Sequence, residues 1–310
     1  MASIHPQYSV VVPVFNSEKT LGELCSRISS TFQKMNSDFE IVLVNDFSSD
    51  GSWNVIKDLK QEYGNKLVAI HLRRNFGQHK AILCGFQFAR GEYVITMDDD
   101  LQFFPEDIEL MAAKMHATSA DLVYGIYGEE RQHSNVRKVG SNVVGYIFEK
   151  FGNTVGQGSS FKIIHSSVIE KIKHYNHSFT FIDEILSWHT TKIEWQQVRH
   201  AARREGESGY SLPKLVFLSM NLIFSYTTVP LRFMTWFGFT SFLICLILVI
   251  YFIYMRFTVG SPLGFTALII SIFMSTGLIL FSLGIIGEYL NRLFALQHRK
   301  PAYLIQEVLR

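Results

Sequence analysis

Short, continuously apolar runs alternate with helix-length segments along the first hundred residues. No other feature constrains the fold as much. Tyr8 to Val14, Phe39 to Val44, Lys66 to Leu72 and Tyr93 to Met97 are dominated by valine, isoleucine and leucine. A strand buried on one face alternates apolar and polar side chains, whereas a strand buried on both faces reads as an unbroken apolar run. Between these runs, Thr20 to Met35, Trp53 to Tyr63 and Gln78 to Ala89 are long enough for helices, the first with Asn16 or Ser17 placed to cap it. The βαβα order predicts an α/β fold, a mainly parallel sheet with helices on both faces. Further strands are expected over Asp121 to Tyr124 and Gly158 to Ile164.

The last third follows different physics. Charge is balanced overall, 29 basic against 27 acidic residues, which leaves no footprint for nucleic acid. It is unevenly spread, however: Phe233 to Met255 and Phe257 to Gly287 contain no charged residue. Phe233 to Met255 and about Leu263 to Gly287 each have the length to cross a hydrocarbon core of ~30 Å, which takes ~20 residues. The short connection from Arg256 to Pro262 makes them a transmembrane hairpin. Leu215 to Leu231 is also uncharged but broken at Pro230. Two spans keep Lys214, Arg292, Arg299 and Lys300 on one side, so this segment reads as an interfacial helix, a third span being the alternative. The start, MASIHPQYSVVVPVF, lacks the pattern of a signal peptide. The expectation is a multi-pass integral membrane protein, bulk and both termini cytoplasmic. Cys25, Cys84 and Cys245 lack ligand spacing and read as buried small hydrophobes in a reducing compartment.

Acids follow two of the strands: Asp46 in NDFSSDG, and Asp98, Asp99 and Asp100 after Met97. Open α/β sheets bind ligands at the carboxyl ends of their strands. Alternate acids in an Asp-x-Asp arrangement reach one hard divalent cation, Mg²⁺ or Mn²⁺, which in turn holds a diphosphate; a solvated turn is the bland alternative. There is no glycine-rich phosphate loop, and Gly85, Gly91 and Gly125 read as turn or close-packing glycines. Phosphate binding then falls to metal and basic side chains.

These residues carry a resemblance. VVPVFNSEKTL at 11–21, VLVNDFSSDGS at 42–52, RRNFGQHKAILCGFQFARGEYVITMDDDLQFFPEDI at 73–108 and LVYG at 122–125 come first. SSFKII at 159–164, RREGESGYSLPKL at 203–215 and IIGEYLNRLF at 285–294 follow in order. In order and spacing the whole chain resembles the family 2 glycosyltransferases of GT-A fold, in their membrane-anchored polyprenyl-phosphate branch. The resemblance implies a cytoplasmic catalytic domain over 1–210, juxtamembrane interfacial helices over 211–232, two membrane helices within 233–288 and a tail over 289–310. It implies an inverting transfer of one sugar from a nucleoside-diphosphate sugar, UDP-sugar favoured, to a polyprenyl phosphate such as undecaprenyl phosphate. The resemblance implies the bacterial inner membrane as its place, membrane lipid as a partner, and further copies of the chain, since some relatives form tetramers.

Carried over position by position, Pro13, Phe15 and Glu18 stand where the first strand meets the nucleotide, and Asp46 faces its base and ribose. Asp98 and Asp100 match the metal-binding pair. Asp99, the variable centre, points elsewhere, toward the ribose or the strand's packing partners. Gln102 matches a residue beside the diphosphate and acceptor, and Arg203 a basic residue that helps hold phosphate. Arg131, Arg137 and Lys162, with Ser208 and Tyr210, are candidates for the acceptor phosphate, arginine because its fork pairs two oxygens. A phosphate acceptor is already an anion, so His71 and His79 need no catalytic role and His79-Lys80 reads as a capping and surface pair. Ser160-Phe161-Lys162, Ser208-Gly209-Tyr210 and Tyr127-Gly128 depart from the family's usual residues, which leaves the donor sugar open. Asp183 and Glu184 suit either sugar hydroxyls or the acidic start of a helix. A saccharide acceptor and a non-enzymatic membrane scaffold are the competing functions. The faint Gln-x-x-Arg-Trp likeness of Glu194 to Arg199 does not support a polymerase.

Overall fold

A computed structural model describes residues 6–127, 159–173, 175, 181–201, 229–258, 264–297 and 301–310. The chain divides into two compact units, 1–208 with 300–310, and 209–299. The first is built on an eight-stranded sheet in the order β7-β5-β6-β4-β1-β2-β3-β8. Its strands are β1 Tyr8–Val14, β2 Phe39–Asn45, β3 Leu67–Leu72, β4 Tyr93–Thr96, β5 Leu122–Ile126, β6 Lys162–His165, β7 Ile193–Gln197 and β8 Ile305–Leu309. β3, β2, β1 and β4 run parallel, β5 pairs parallel with β7, and β6 and β8 lie antiparallel to their neighbours.

The unbroken apolar runs have the expected cause. Every residue of β1 and β2 is buried, and their side chains divide between two cores. Val10, Val12, Ile41 and Leu43 pack with Leu24, Ile28 and Phe32 of helix α1 (Leu21–Lys34) and Ile56 of α2 (Ser52–Tyr63). Val11, Val42 and Val44 pack with Ala81, Ile82 and Phe86 of α3 (Gln78–Phe88) on the other face. α4, Ile108–Thr118, returns to the first face. Gly85 is required by α3's close approach: a Cβ there would collide with Val11 and lie 3.3 Å from Val44. At Gly91 it would stand 2.6 Å from the Ser9 nitrogen, so both are close-packing glycines. Cys25 and Cys84 are buried free thiols that burial pushes up to about 12.

Elements with weak periodicity emerge only here. Helices Ser166–Ile172 and Ile182–Ser187 cover the second face, and β7 forms one edge. β8 comes from the expected tail and pairs with β3, Ile70 against Val308 and His71 against Glu307. It covers an edge that a parallel β3 would otherwise expose. The cap expected of Asn16 or Ser17 on α1 is not made: the N-cap is Thr20, without a side-chain bond, and the Ser17 hydroxyl is given to Asp99.

The second unit holds two helices, Val229–Thr258 and Phe265–Gln297. Among the described residues, no helix is long and apolar enough to cross a membrane. A span takes ~20 consecutive apolar residues. The absence of such a helix among the described residues overturns the expected transmembrane hairpin over about 233–255 and 263–287. The multi-pass placement in the bacterial inner membrane, with its cytoplasmic termini, falls with it. The two helices do expose large apolar side chains, Trp236 at 70%, Tyr254 at 63% and Phe257 at 86% among them.

Candidate active site

The ends of β1, β2 and β4 converge on a cavity of about 250 Å³ lined by Pro13, Phe15, Asp46, Asp98, Asp99 and Asp100, together with Gly77 and Gln78 from the turn into α3. Parallel pairing produces this convergence: Tyr8 lies opposite both Phe39 and Tyr93, so the loops that follow the three strands leave the same edge of the sheet. Six of the residues expected around the donor therefore share one cavity.

The three consecutive acids do different work. Asp99 Oδ2 accepts from the Phe15 amide at 2.9 Å and the Ser17 hydroxyl at 2.5 Å. Its carbonyl accepts from Thr20 Oγ1 at 2.7 Å. The middle acid thus ties the β4 turn to the start of α1, in the direction of the strand's packing partners. Asp98 Oδ1 accepts from Gln78 Nε2 at 2.5 Å, and the Ser160 hydroxyl also bonds this carboxylate. Burial, reinforced by the charges of Asp100 and Asp99, pushes Asp98 up to about 6 against the pull of Ser160 and Lys162. Asp100 Oδ1 accepts from the Gln102 amide at 3.1 Å, closing the turn across Leu101, whose φ of 59° is the left-handed region. The Gln102 carbonyl accepts from Ala201 N at 2.9 Å.

Asp46 is 2% exposed. Its Oδ1 accepts from Phe76 N at 2.7 Å and its Oδ2 from Gly77 N at 2.8 Å. Burial raises it nonetheless, against those two amides and Lys80. Gly77, at φ 91°, gives the turn a conformation that side-chain-bearing residues rarely adopt. Glu18 turns toward the β2–α2 loop, where its Oε2 accepts from Gly51 N at 2.7 Å, while its own amide donates to Asp50.

Lys162 is 2% exposed, and its Nζ is paired with Asp183 Oδ1. The same oxygen accepts from the Tyr124 hydroxyl at 3.1 Å, and the ammonium lies 5.4 Å from the Tyr124 ring centre. β6 places Lys162 opposite Thr96, two residues before Asp98. Glu184, also buried, accepts from Trp188 Nε1 at 3.0 Å. His79 differs from the expected surface pair: its ring packs 4.8 Å from Phe181 and burial pushes it down to about 4. Arg199 is bonded to Asp107 through Nε at 2.8 Å. Arg131, Arg137, Arg203, Ser208 and Tyr210 lie outside the described residues. Gln78 went unrecognised in sequence because an exposed glutamine opening a helix is unremarkable until its neighbour across the cavity is known.

A metal has a partial frame here. Among the described residues, no three His, Cys, Asp or Glu side chains form an enclosing cluster. The Asp98 and Asp100 carboxylates are hard oxygen donors, and their mutual repulsion is a charge that a cation relieves. Two carboxylates fit Mg²⁺ or Mn²⁺ when phosphate and water complete the shell. A larger cavity, about 810 Å³, sits beside Arg90 and Gly91 at the opposite strand ends. Its arginine is paired with the buried Glu40.

Residues 9–174 match the glycosyl transferase family 2. The chain is 35% identical over 310 residues to the undecaprenyl-phosphate 4-deoxy-4-formamido-L-arabinose transferase of Edwardsiella ictaluri (strain 93-146), covering 97% of this chain and 94% of that protein. Its identity to the transferase of the same name from Enterobacter sp. (strain 638) is 33% over 314 residues, 99% of this chain and 94% of the other. The fold is similar to glucosyl-3-phosphoglycerate synthase from Mycobacterium tuberculosis, with a TM-score of 0.52 at 17% identity, over 71% of this chain and 76% of that one. The chain therefore belongs to glycosyl transferase family 2, is related to the undecaprenyl-phosphate sugar transferases, and is a nucleotide-sugar transferase.

Proposed function

We propose that the chain moves a single sugar from a nucleoside-diphosphate sugar, a UDP-sugar by preference, to a polyprenyl phosphate such as undecaprenyl phosphate. The observation that carries this reading is the convergence of Asp46, Asp98 and Asp100 on one cavity, in a chain similar over nearly its whole length to transferases named for that acceptor. An oxygen of the acceptor phosphate attacks the anomeric carbon as the bond from that carbon to the donor diphosphate breaks. The nucleoside diphosphate leaves with the bonding pair, and the anomeric configuration inverts. The acceptor is an anion near neutral pH, so no side chain has to remove a proton from it. A divalent cation held by Asp98 and Asp100 would neutralise charge on the leaving diphosphate.

The chain's own groups set the stage for that displacement. Asp99 fixes the acidic turn against the end of β1 through Phe15 and Ser17. Asp100 and Gln102 share a hydrogen-bonded turn, and both are proposed to act on the diphosphate. Arg203, Arg131, Arg137, Ser208 and Tyr210 are the proposed contacts for phosphate. Lys162 acts through Asp183 rather than by direct contact, since its own side chain is buried and its ammonium is paired with that carboxylate. The exposed apolar side chains of the two long helices suit the hydrocarbon tail of a polyprenyl acceptor.

The test is to incubate the purified chain with UDP-, GDP- and dTDP-sugars, Mg²⁺ or Mn²⁺, and polyprenyl phosphate, and to identify the lipid product by mass. A glycosyl polyprenyl phosphate is expected. Product formed on saccharides and never on the lipid phosphate refutes the acceptor.

A further inference from the structure

The turn between β3 and α3 touches two of the expected site acids at once. Asp46 spends both carboxylate oxygens on it, one on Phe76 N and one on Gly77 N. The next residue, Gln78, reaches across the cavity to Asp98 Oδ1. Gly77 at φ 91° makes this geometry specific, and α3 behind it is packed against β1 and β2 through Ala81, Ile82 and Gly85. An acid expected to read the nucleoside is therefore committed, in this structure, to holding the turn that carries Gln78.

Carboxylates that bind metals are themselves oriented by hydrogen bonds, and loss of such a partner costs about 10- to 100-fold in metal affinity. Among the described residues, Asp98 has two such partners from different elements: the Gln78 amide from the start of α3 and the Ser160 hydroxyl before β6. Without Gln78, one oxygen of the carboxylate loses the donor that fixes its plane. Gln78 itself is exposed, and among the described residues its side-chain amide is given to Asp98.

We propose that Gln78 is a positioning residue of the divalent-cation site, orienting the Asp98 carboxylate, and that Asp46 acts on the same site by anchoring the turn from which Gln78 projects. This rests on the reading of Asp98 and Asp100 as the cation pair. The relay runs from Asp46 through the Phe76 and Gly77 amides to Gln78 and then to Asp98. It assigns Asp46 an effect on the cation that does not require a nucleotide.

The experiment is Mn²⁺ titration of the full-length purified chain without any nucleotide, followed by electron paramagnetic resonance of free Mn²⁺. Gln78→Met keeps the side-chain length and removes the amide; it should weaken Mn²⁺ about tenfold with an unchanged melting temperature. Asp46→Asn should weaken Mn²⁺ too, and the double variant should be no weaker than the worse single one, because both substitutions cut the same relay. Wild-type affinity in Gln78→Met overturns the inference alone. Additive losses in the double variant, or unchanged Mn²⁺ affinity in a folded Asp46→Asn, overturn the role of Asp46 in the relay. Failure of the wild-type chain to bind Mn²⁺ both without nucleotide and with saturating UDP, whose phosphates complete the shell, overturns the cation pair and the inference together; binding only with UDP moves the Gln78→Met comparison to that condition. Gln78→Met decides the Gln78 assignment even if Asp46→Asn does not fold.

Discussion

Replacing Lys162 by methionine tests whether β6, paired with the strand that leads to Asp98, is held by charge. Lys162 is 2% exposed and its partner Asp183 is 14% exposed at the side chain. The substitution preserves volume but leaves the aspartate with the Tyr124 hydroxyl as its remaining partner in this cluster. Removing one member of a buried ion pair costs about 3–5 kcal/mol, chiefly because the other charge stays in place undischarged. The residual exposure of Asp183 argues for the lower end, about 3 kcal/mol. For a unit of this size, 1 kcal/mol moves the midpoint by about 2–4 °C, so the shift is about 6–12 °C. Tryptophan fluorescence during thermal unfolding reads it, since Trp53, Trp188 and Trp195 all lie in the sheet unit. Lys162→Met/Asp183→Asn should recover part of the loss, with a coupling energy of about 0.5–3 kcal/mol. A loss below about 1 kcal/mol in the single variant, or strict additivity in the double, refutes the argument that the pair is buried and interdependent.

Three further outcomes follow from the same coordinates. Asp98→Ala and Asp100→Ala should each lower turnover by about 10²–10³-fold, the usual cost of losing one electrostatic contact to developing charge, with melting temperatures near wild type; full activity in either shows that the wrong acids were chosen. His79 is held down to about 4 from an ordinary 6.5 by burial, so the unfolded chain binds the proton first as pH falls. Stability present above pH 6.5 is then lost between 6.5 and 4, up to about 3 kcal/mol, and His79→Phe should flatten that slope of the unfolding free energy. Gly85→Ala forces a methyl into the Val11 side chain and should cost about 1–3 kcal/mol by overpacking, measured as a lower unfolding midpoint.

The parts of the fold legible in the sequence were those decided by local pattern. β1 to β4 and α1 to α3 lie within a residue or two of their expected bounds, because unbroken apolar runs have few alternatives to burial on both faces. Helix Ile182–Ser187 and strands β7 and β8 have no such pattern, and each owes its state to the element it packs against. The acids at the ends of β2 and β4 were legible as a site because parallel topology gathers those ends. Their division of labour was not: Asp98 and Asp99 are adjacent, yet one faces Gln78 and the other Ser17. Lys162 was a candidate for acceptor phosphate by charge alone, and its burial beside Asp183 came from the register of β6 on β4. The long uncharged stretches read as membrane spans from composition, whereas among the described residues no helix meets the length and hydropathy of one.

By itself, then, the sequence determined which segments must be buried and that acids would stand at the carboxyl edge of a parallel sheet. Those are consequences of side-chain type and short-range spacing. Only the tertiary structure decided that Asp99 is a tie, that Lys162 answers Asp183, and that Asp46 and Asp98 are joined through one turn. Each of those contacts spans about 20 to 80 residues of chain. Which partners meet across such distances depends on strand register and helix packing, which no local pattern encodes.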